Sequence, residues 1–299
     1  MNRTLNFHRV SDTDWFESVI HLLKREYSFI SASDSEWDPG NNNHRSCHLT
    51  FDDGEISFYN VILPVLKRHN IPATLFVSPK ICKEKINYWF QEIEAFNSDE
   101  LKKIIASVAG ISRKALLKNR TESILKSLRF DQIMEIIRVS RKELTGTPMP
   151  FRNISVTQLK EIDRSGLVTI GAHTLNHPIL KNESNCNSKF EIAKSVSELS
   201  ELLDHPVHFF AYPNGISQLD FTGREKTFLS ACGIRRAWKN EACKTLYDDH
   251  LSLPRIAISD YENLNVIKIK MNLSGTWDTL KKFNPGGEYI ERKNLLLIR

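Results

Sequence analysis

Cys47-His48-Leu49-Thr50-Phe51-Asp52-Asp53-Gly54 is the stretch on which the fold turns. Its first five residues alternate apolar and polar, the period of a strand, and then stop at two carboxylates and a glycine, a turn composition. The same grammar recurs downstream: Val168-Thr169-Ile170 runs into Gly171-Ala172-His173, and Val207–Ala211 into Tyr212-Pro213-Asn214-Gly215. Working outward, Leu5–Val10 reads as a first strand, Ala73–Val77 as another, and Arg235–Trp238 and Ser252–Ile258 as late ones. Helical spacing falls between them. Phe16, Val19, Ile20 and Leu23 share a face over Trp15–Tyr27, and Ser57–His69 is a helix that Pro64 kinks or starts. Further helices run from a Ser155 cap to about Arg164, over Glu191–Leu203 and over Asp220–Cys232. A loop rich in Asn, Asp, Ser and Gly occupies Ser31–Asn43. Strands alternating with helices predict an α/β fold with a parallel, barrel-like sheet.

Length and composition agree with that class. The chain has 299 residues, 40% apolar and 26% charged, a length at which a single α/β barrel domain is ordinary. Its net charge of +5 is mild and there is no basic-aromatic platform, which argues against nucleic acid as partner. No stretch approaches the roughly 18 apolar residues that span a bilayer. Charges within the first 30 residues interrupt any signal-peptide core. Five scattered cysteines, Cys47, Cys82, Cys186, Cys232 and Cys243, suit a reducing compartment, so a cytoplasmic location is expected. Oligomeric state is left open.

From about 81 to 150 the texture changes. Apolar residues recur at helical spacing (Ile104, Ile105, Val108; Ile124, Leu125, Leu128; Ile133, Ile136, Ile137) and strand signals disappear. This segment holds 13 Lys and Arg against 9 Asp and Glu, most of the chain's excess charge. It is expected to be a helical insertion in a single domain. A solvated face accounts for the charge, and peripheral contact with an acidic glycan or lipid headgroups is the alternative.

In a parallel barrel the carboxyl ends of the strands converge on one face, where active sites lie. The polar tips at Asp52-Asp53, His173 with His177, and Tyr212-Pro213-Asn214 are therefore expected to meet. Each alone is ordinary turn chemistry. Together, two imidazoles and a carboxylate form a facial donor set that leaves positions on a divalent metal open for water and substrate. The remaining aspartate is free to act as a base, and a backbone N–H after Pro213 can face an oxyanion.

These residues resemble the polysaccharide deacetylases with the NodB homology domain, carbohydrate esterase family four. Thr50-Phe51-Asp52-Asp53-Gly54 is similar to the first family motif and His173-Thr174-Leu175-Asn176-His177 to the second, with Phe210–Gly215 in the place of the third. Weaker matches are Phe7-His8-Arg9-Val10, Ile71–Val77 and Leu253-Pro254-Arg255-Ile256, all in the family's order. The resemblance implies a distorted (β/α)7 barrel of the NodB-homology type. It implies one divalent metal, zinc in most members, on Asp53, His173 and His177. Asp52 is implied as general base and the Asn214 N–H as oxyanion donor, in hydrolysis of the N-acetyl group of a hexosamine. Two departures stand out. Phe209 lies near the place of an arginine that orients the catalytic aspartate, leaving Arg255 or Arg236 to substitute. The family's late Leu-x-His, source of the proton for the leaving amine, has no match, leaving His8 or His250 as general acid.

Tyr212, Pro213 and Trp238 are candidate sugar contacts, with Tyr88 and Trp89 as further ones; core packing is the competing role for these aromatic rings. The expected substrate is an N-acetylated surface polysaccharide, exopolysaccharide or glycan precursor. Two other readings stand beside it. One is an O-acetyl esterase, or a deacetylase or deformylase of a small nucleotide- or lipid-linked sugar. The other is a non-catalytic glycan-binding protein on the same barrel.

Overall fold

The computed structural model describes residues 2–33, 45–144, 147–242, 249–260, 262–282, 284 and 287–297. The loop expected over Ser31–Asn43 and the residue Cys243 lie largely outside them. Eight strands form the sheet: β1 (Arg3–Phe7), β2 (Ser28–Phe29), β3 (Ser46–Phe51), β4 (Ala73–Val77), β5 (Val168–Ala172), β6 (Phe209–Ala211), β7 (Arg236–Trp238) and β8 (Ile256–Ala257). Their order is β7-β6-β5-β4-β3-β1-β8, with β2 added on β3. Every pair is parallel. Leu253 bridges Trp238 while β8 pairs with β1, so the segment from 253 to 257 spans the two ends of the curl. The result is a distorted (β/α)7 barrel.

Parallel strands buried on both faces explain why β3 and β4 carry no exposed residue. On the outer face Leu49, Phe51, Leu75, Val77, Ile170 and Phe210 join the main core, which the helices cover. Helix Thr13–Lys24 contributes Phe16, Val19, Ile20 and Leu23, and begins where the Asp12 carboxylate accepts from the N–H groups of Asp14 and Trp15. The helix expected over Ser57–His69 is two pieces. Phe58–Ile62 is wound as a π turn and Leu63–His69 as α-helix, with Pro64 in its first turn, where a missing N–H costs nothing. Inside the curl a second cluster forms from Ile30, Ala32, Phe76, Phe209, Ala211, Trp238 and Leu253.

The segment after β4 is helical with its own core. Helices Ser98–Ala109 and Phe130–Glu143 bury Leu101, Ile104, Ile105, Ile133, Ile136 and Ile137 against one another and against Trp89. Leu295 joins that core from Glu288–Leu297, one of two C-terminal helices, the other being Leu264–Lys282. Neither is apparent from the sequence pattern described above. Several of the segment's basic residues are paired: Arg120 with Glu291, Lys126 with Glu288, Arg141 with Glu92. Among the described residues, no helix is long and apolar enough to cross a membrane.

Candidate metal centre and its surroundings

The carboxyl ends of β3, β5 and β6 lie on one rim, and the polar tips meet there. Potential ligand atoms of Asp53, His173 and His177 all fall within 4.8 Å of one another, and all three residues are buried. Asp53 Oδ1 stands 3.6 Å from His173 Nε2 and 3.5 Å from His177 Nε2. That oxygen has no hydrogen-bond partner among the described residues. Burying a carboxylate oxygen unpaired is costly, and three donors around a common point suit one divalent cation. His173 Nδ1 lies 2.7 Å from the Ala211 carbonyl, to which it donates, which leaves the Nε2 lone pair facing the centre. The acid–base state agrees. Burial lowers the His173 pKa to about 4 and takes His177 well below its ordinary value, so both imidazoles are neutral. Burial, then the adjacent Asp52, raises Asp53 well above the usual carboxylate range in the absence of a cation.

The loops that present these groups use left-handed backbone at non-glycine residues. φ is 70° at Asp53, 62° at Thr174, 58° at His177 and 59° at Asn214. Such conformations persist only where neighbours over-determine them. Thr174 Oγ1 accepts from the His177 N–H at 2.9 Å. Glu191, from helix Asn185–Leu203, accepts from the N–H groups of Leu175 and Asn176 and from the Asn176 amide. Gly54 also has positive φ, +67°, and a Cβ there would sit 2.8 Å from Val77 Cγ1.

Asp52 faces a different set of partners. Arg255 grips it with two parallel bonds, Nη1 to Oδ1 at 2.7 Å and Nη2 to Oδ2 at 2.8 Å, and Asn6 donates to Oδ2 at 3.0 Å. Burial alone would raise this carboxyl; the guanidinium overrides it and holds the group below the ordinary range. Of the two candidate arginines, it is Arg255 that reaches Asp52, while Arg236 donates to the Ala32 carbonyl. His8 Nε2 lies 3.8 Å from Asp52 Oδ2, with 48% of its side chain open. Desolvation lowers its pKa more than Asp52 raises it. His250 is exposed in a turn, and no hydrogen bond or ion pair ties its imidazole to Asp52 among the described residues. The Asn214 N–H donates to no group among the described residues.

The proposed sugar contacts need correction. Trp238 is fully buried inside the curl, its ring against His48 and Phe76 at 5.3 and 5.4 Å. Tyr212 is buried, stacked on Phe221 at 3.6 Å, and donates to the Leu251 carbonyl at 2.8 Å. Pro213 is covered as well. None of the three offers a face to a sugar: Trp238 packs on the other inward-facing residues of a narrow barrel, and Tyr212 on Phe221 in the outer core. Tyr88 and Trp89 are also buried, in a role that sequence reasoning missed. The Tyr88 hydroxyl donates to the Asp53 carbonyl at 2.7 Å, and the Trp89 indole N–H to the His177 carbonyl at 2.9 Å. Phe90, half-buried, stacks on Tyr88 and meets the His177 ring edge-on at 5.0 Å.

Fold and rim together define a parallel β/α barrel with an Asp-His-His group and a second, arginine-held aspartate beside it. The chain belongs to the polysaccharide deacetylase family, whose family model matches residues 40–228. Among solved structures it is similar to IcaB from Ammonifex degensii, with 17% identity and a TM-score of 0.58 over 92% of this chain and 97% of that one. It is also similar to the Streptococcus pyogenes deacetylase PplD in complex with acetate (18% identity, TM-score 0.55, 90% of this chain and 96% of that one). A third is a de-N-acetylase from Aggregatibacter actinomycetemcomitans (16%, 0.56, 90% and 98%). At such identities the likeness establishes the barrel. No curated protein matches the sequence.

Proposed function

We propose that the chain is a metal-dependent hydrolase that removes N-acetyl groups from hexosamine units of a surface polysaccharide, exopolysaccharide or glycan precursor. The observation that carries this reading is the unpartnered Asp53 Oδ1 facing two neutral imidazoles, with a second carboxylate next to it in sequence. Asp53, His173 and His177 would hold the ion, and two nitrogens with one oxygen favour zinc. When bound, such an ion supplies a water of lowered pKa and a Lewis-acid contact for the amide oxygen. Asp52, fixed by Arg255, takes the proton of the attacking water. The free Asn214 N–H donates to the oxyanion that forms. The half-open position of His8 beside Asp52 supports it as the donor of a proton to the leaving amine.

His8 makes no anchoring hydrogen bond to Asp52, and ester cleavage needs no proton on its leaving group as urgently as amide cleavage does. An O-acetylated sugar is therefore the second reading. The test is hydrolysis of N-acetylglucosamine oligomers and of O-acetylated sugars by zinc-loaded protein, with amine and acetate release followed separately. The N-deacetylase reading expects both products from the amide substrate, loss of turnover on chelation, and an Asp52→Asn variant that keeps metal without turnover. Acetate from esters alone supports the second reading. Undiminished turnover by metal-free protein or by Asp52→Asn overturns the mechanism.

A further inference from the structure

Asp220 lies outside every motif, yet its carboxylate is the hub of the turn that carries Asn214. It is 1% exposed. Oδ2 accepts from the Asn214 side-chain amide and from the Ile216 N–H, both at 2.7 Å. Oδ1 accepts from the guanidinium of Arg292, which is fully buried and belongs to the C-terminal helix Glu288–Leu297. The same guanidinium reaches the Lys126 carbonyl at 3.3 Å, and the helix is tied to the insertion through Glu291 to Arg120 and Glu288 to Lys126. The turn needs such a clamp, since Asn214 and Gly215 follow one another at φ 59° and 76°. A fully buried ion pair is a poor stabiliser in its own right, because both charges lose their hydration. Holding a strained donor in register is a use that fits its position.

We propose that Arg292 and Asp220 are positioning residues for the Asn214 N–H, so that the C-terminal helix sets the geometry of the oxyanion donor. This rests on the function proposed above. The test uses the full chain loaded with zinc, comparing Arg292→Met, Arg292→Lys and Asp220→Asn on N-acetylglucosamine oligomers, well below each variant's melting temperature. The expected result is a loss of kcat of about ten- to a hundredfold in Arg292→Met and Asp220→Asn, a fraction of the effect of deleting an oxyanion donor. KM and the absorption spectrum of the cobalt-substituted protein should stay unchanged, and Arg292→Lys should recover part of kcat. Amide exchange at Asn214 and Gly215 in metal-free protein should quicken without a change elsewhere on the rim. If Arg292→Met does not fold, the other two variants carry the test. Unchanged kcat per folded molecule, or kcat, KM and cobalt spectrum moving together, overturns the proposal. An inactive wild-type chain overturns the parent reading and this one with it; an active wild type with indifferent variants overturns this one alone.

Discussion

Replacing Arg255 by methionine tests how the barrel tolerates the charge on Asp52. The two side chains are 1% and 3% exposed and share two bonds of 2.7 and 2.8 Å, so neither charge has water to fall back on. Removing one partner of such a pair costs about 3–5 kcal/mol, most of it the penalty of leaving the other buried alone. Asp52→Asn alone should also be costly, since it sets an amide N–H against the guanidinium. In the double variant Arg255→Met/Asp52→Asn no charge is stranded, and the amide oxygen can still accept from Asn6. The double variant should therefore be more stable than Arg255→Met, and its loss smaller than the sum of the single losses by about 1–3 kcal/mol. The pH dependence reverses sign. In the wild type the carboxyl is held below its ordinary range, so its stabilisation is present above pH about 4 and lost as the pH falls through the depressed value. In Arg255→Met the guanidinium no longer opposes burial, the largest influence on the carboxyl, and its pKa rises, so lowering the pH from 7 to 5 should restore stability. Urea titrations of zinc-loaded protein at both pH values, followed by tryptophan fluorescence, give all four corners of the cycle. Additive losses, or a single-variant loss below about 1 kcal/mol, would refute the argument that the pair is desolvated and coupled.

Tyr88→Phe and Trp89→Phe each delete one hydrogen bond to the carbonyl of a ligand residue, worth about 0.5–1.5 kcal/mol. Zinc affinity, measured by competition with a chromophoric chelator, should weaken by about two- to tenfold in each, and unchanged affinity would count against the bracing role. His48 is buried in the barrel with its pKa lowered to about 3, chiefly by burial, and bonds Thr74 Oγ1 at 2.8 Å. Its neutral form is favoured by the fold, so stability is full above the unfolded-state value of 6.5 and falls as the pH drops below it. Between pH 7 and 5 the wild type should lose about 2 kcal/mol more than His48→Gln, and equal losses would reassign the titration. Gly54→Ala should cost about 1–3 kcal/mol, because the new methyl meets Val77 Cγ1 at 2.8 Å on a backbone at φ +67°; a neutral thermal shift would show that the turn relaxes freely.

The rim was legible because its residue types are demanding. Two histidines four apart behind one strand and paired aspartates behind another are each ordinary alone, but parallel topology brings strand ends to a common edge, where their combination is specific. The strands other than β2, and many of the helices, were legible from period and caps. Boundaries moved where a cap lay off the apolar pattern, as when Ser184 starts helix Asn185–Leu203 six residues before the expected Glu191. What sequence could not separate was orientation. Tyr212 lies within the third motif and Trp238 at a strand end, and a ring buried in either core has the same local pattern as one facing a cleft. Arg255 and Arg236 were equal candidates by spacing, and only the closure from Leu253 to β8 decides between them. Glu191, Asp220 and Arg292 carry no local signature, since a buried charged side chain that clamps a turn looks in sequence like any surface acid or base.

The position of these supports has a physical logic. Asp53, His177 and Asn214 all hold left-handed backbone, at an expense of order 1–3 kcal/mol apiece, and among the described residues the sheet's ladder stops short of them, its last bonds falling at Asp52, His173 and Tyr212. The fixing groups must come from outside the barrel strands. The Asp53 and His177 carbonyls are taken by Tyr88 and Trp89 at the start of the helical segment between β4 and β5, and the Asn214 side chain by Asp220, which the C-terminal helix secures through Arg292. That segment and the C-terminal helix are joined in turn by Leu295 and by the Arg120–Glu291 and Lys126–Glu288 pairs. The helical segment thus braces the β3 and β5 tips and the C-terminal helix the β6 tip, so segments outside the barrel strands act as the outer wall of the rim.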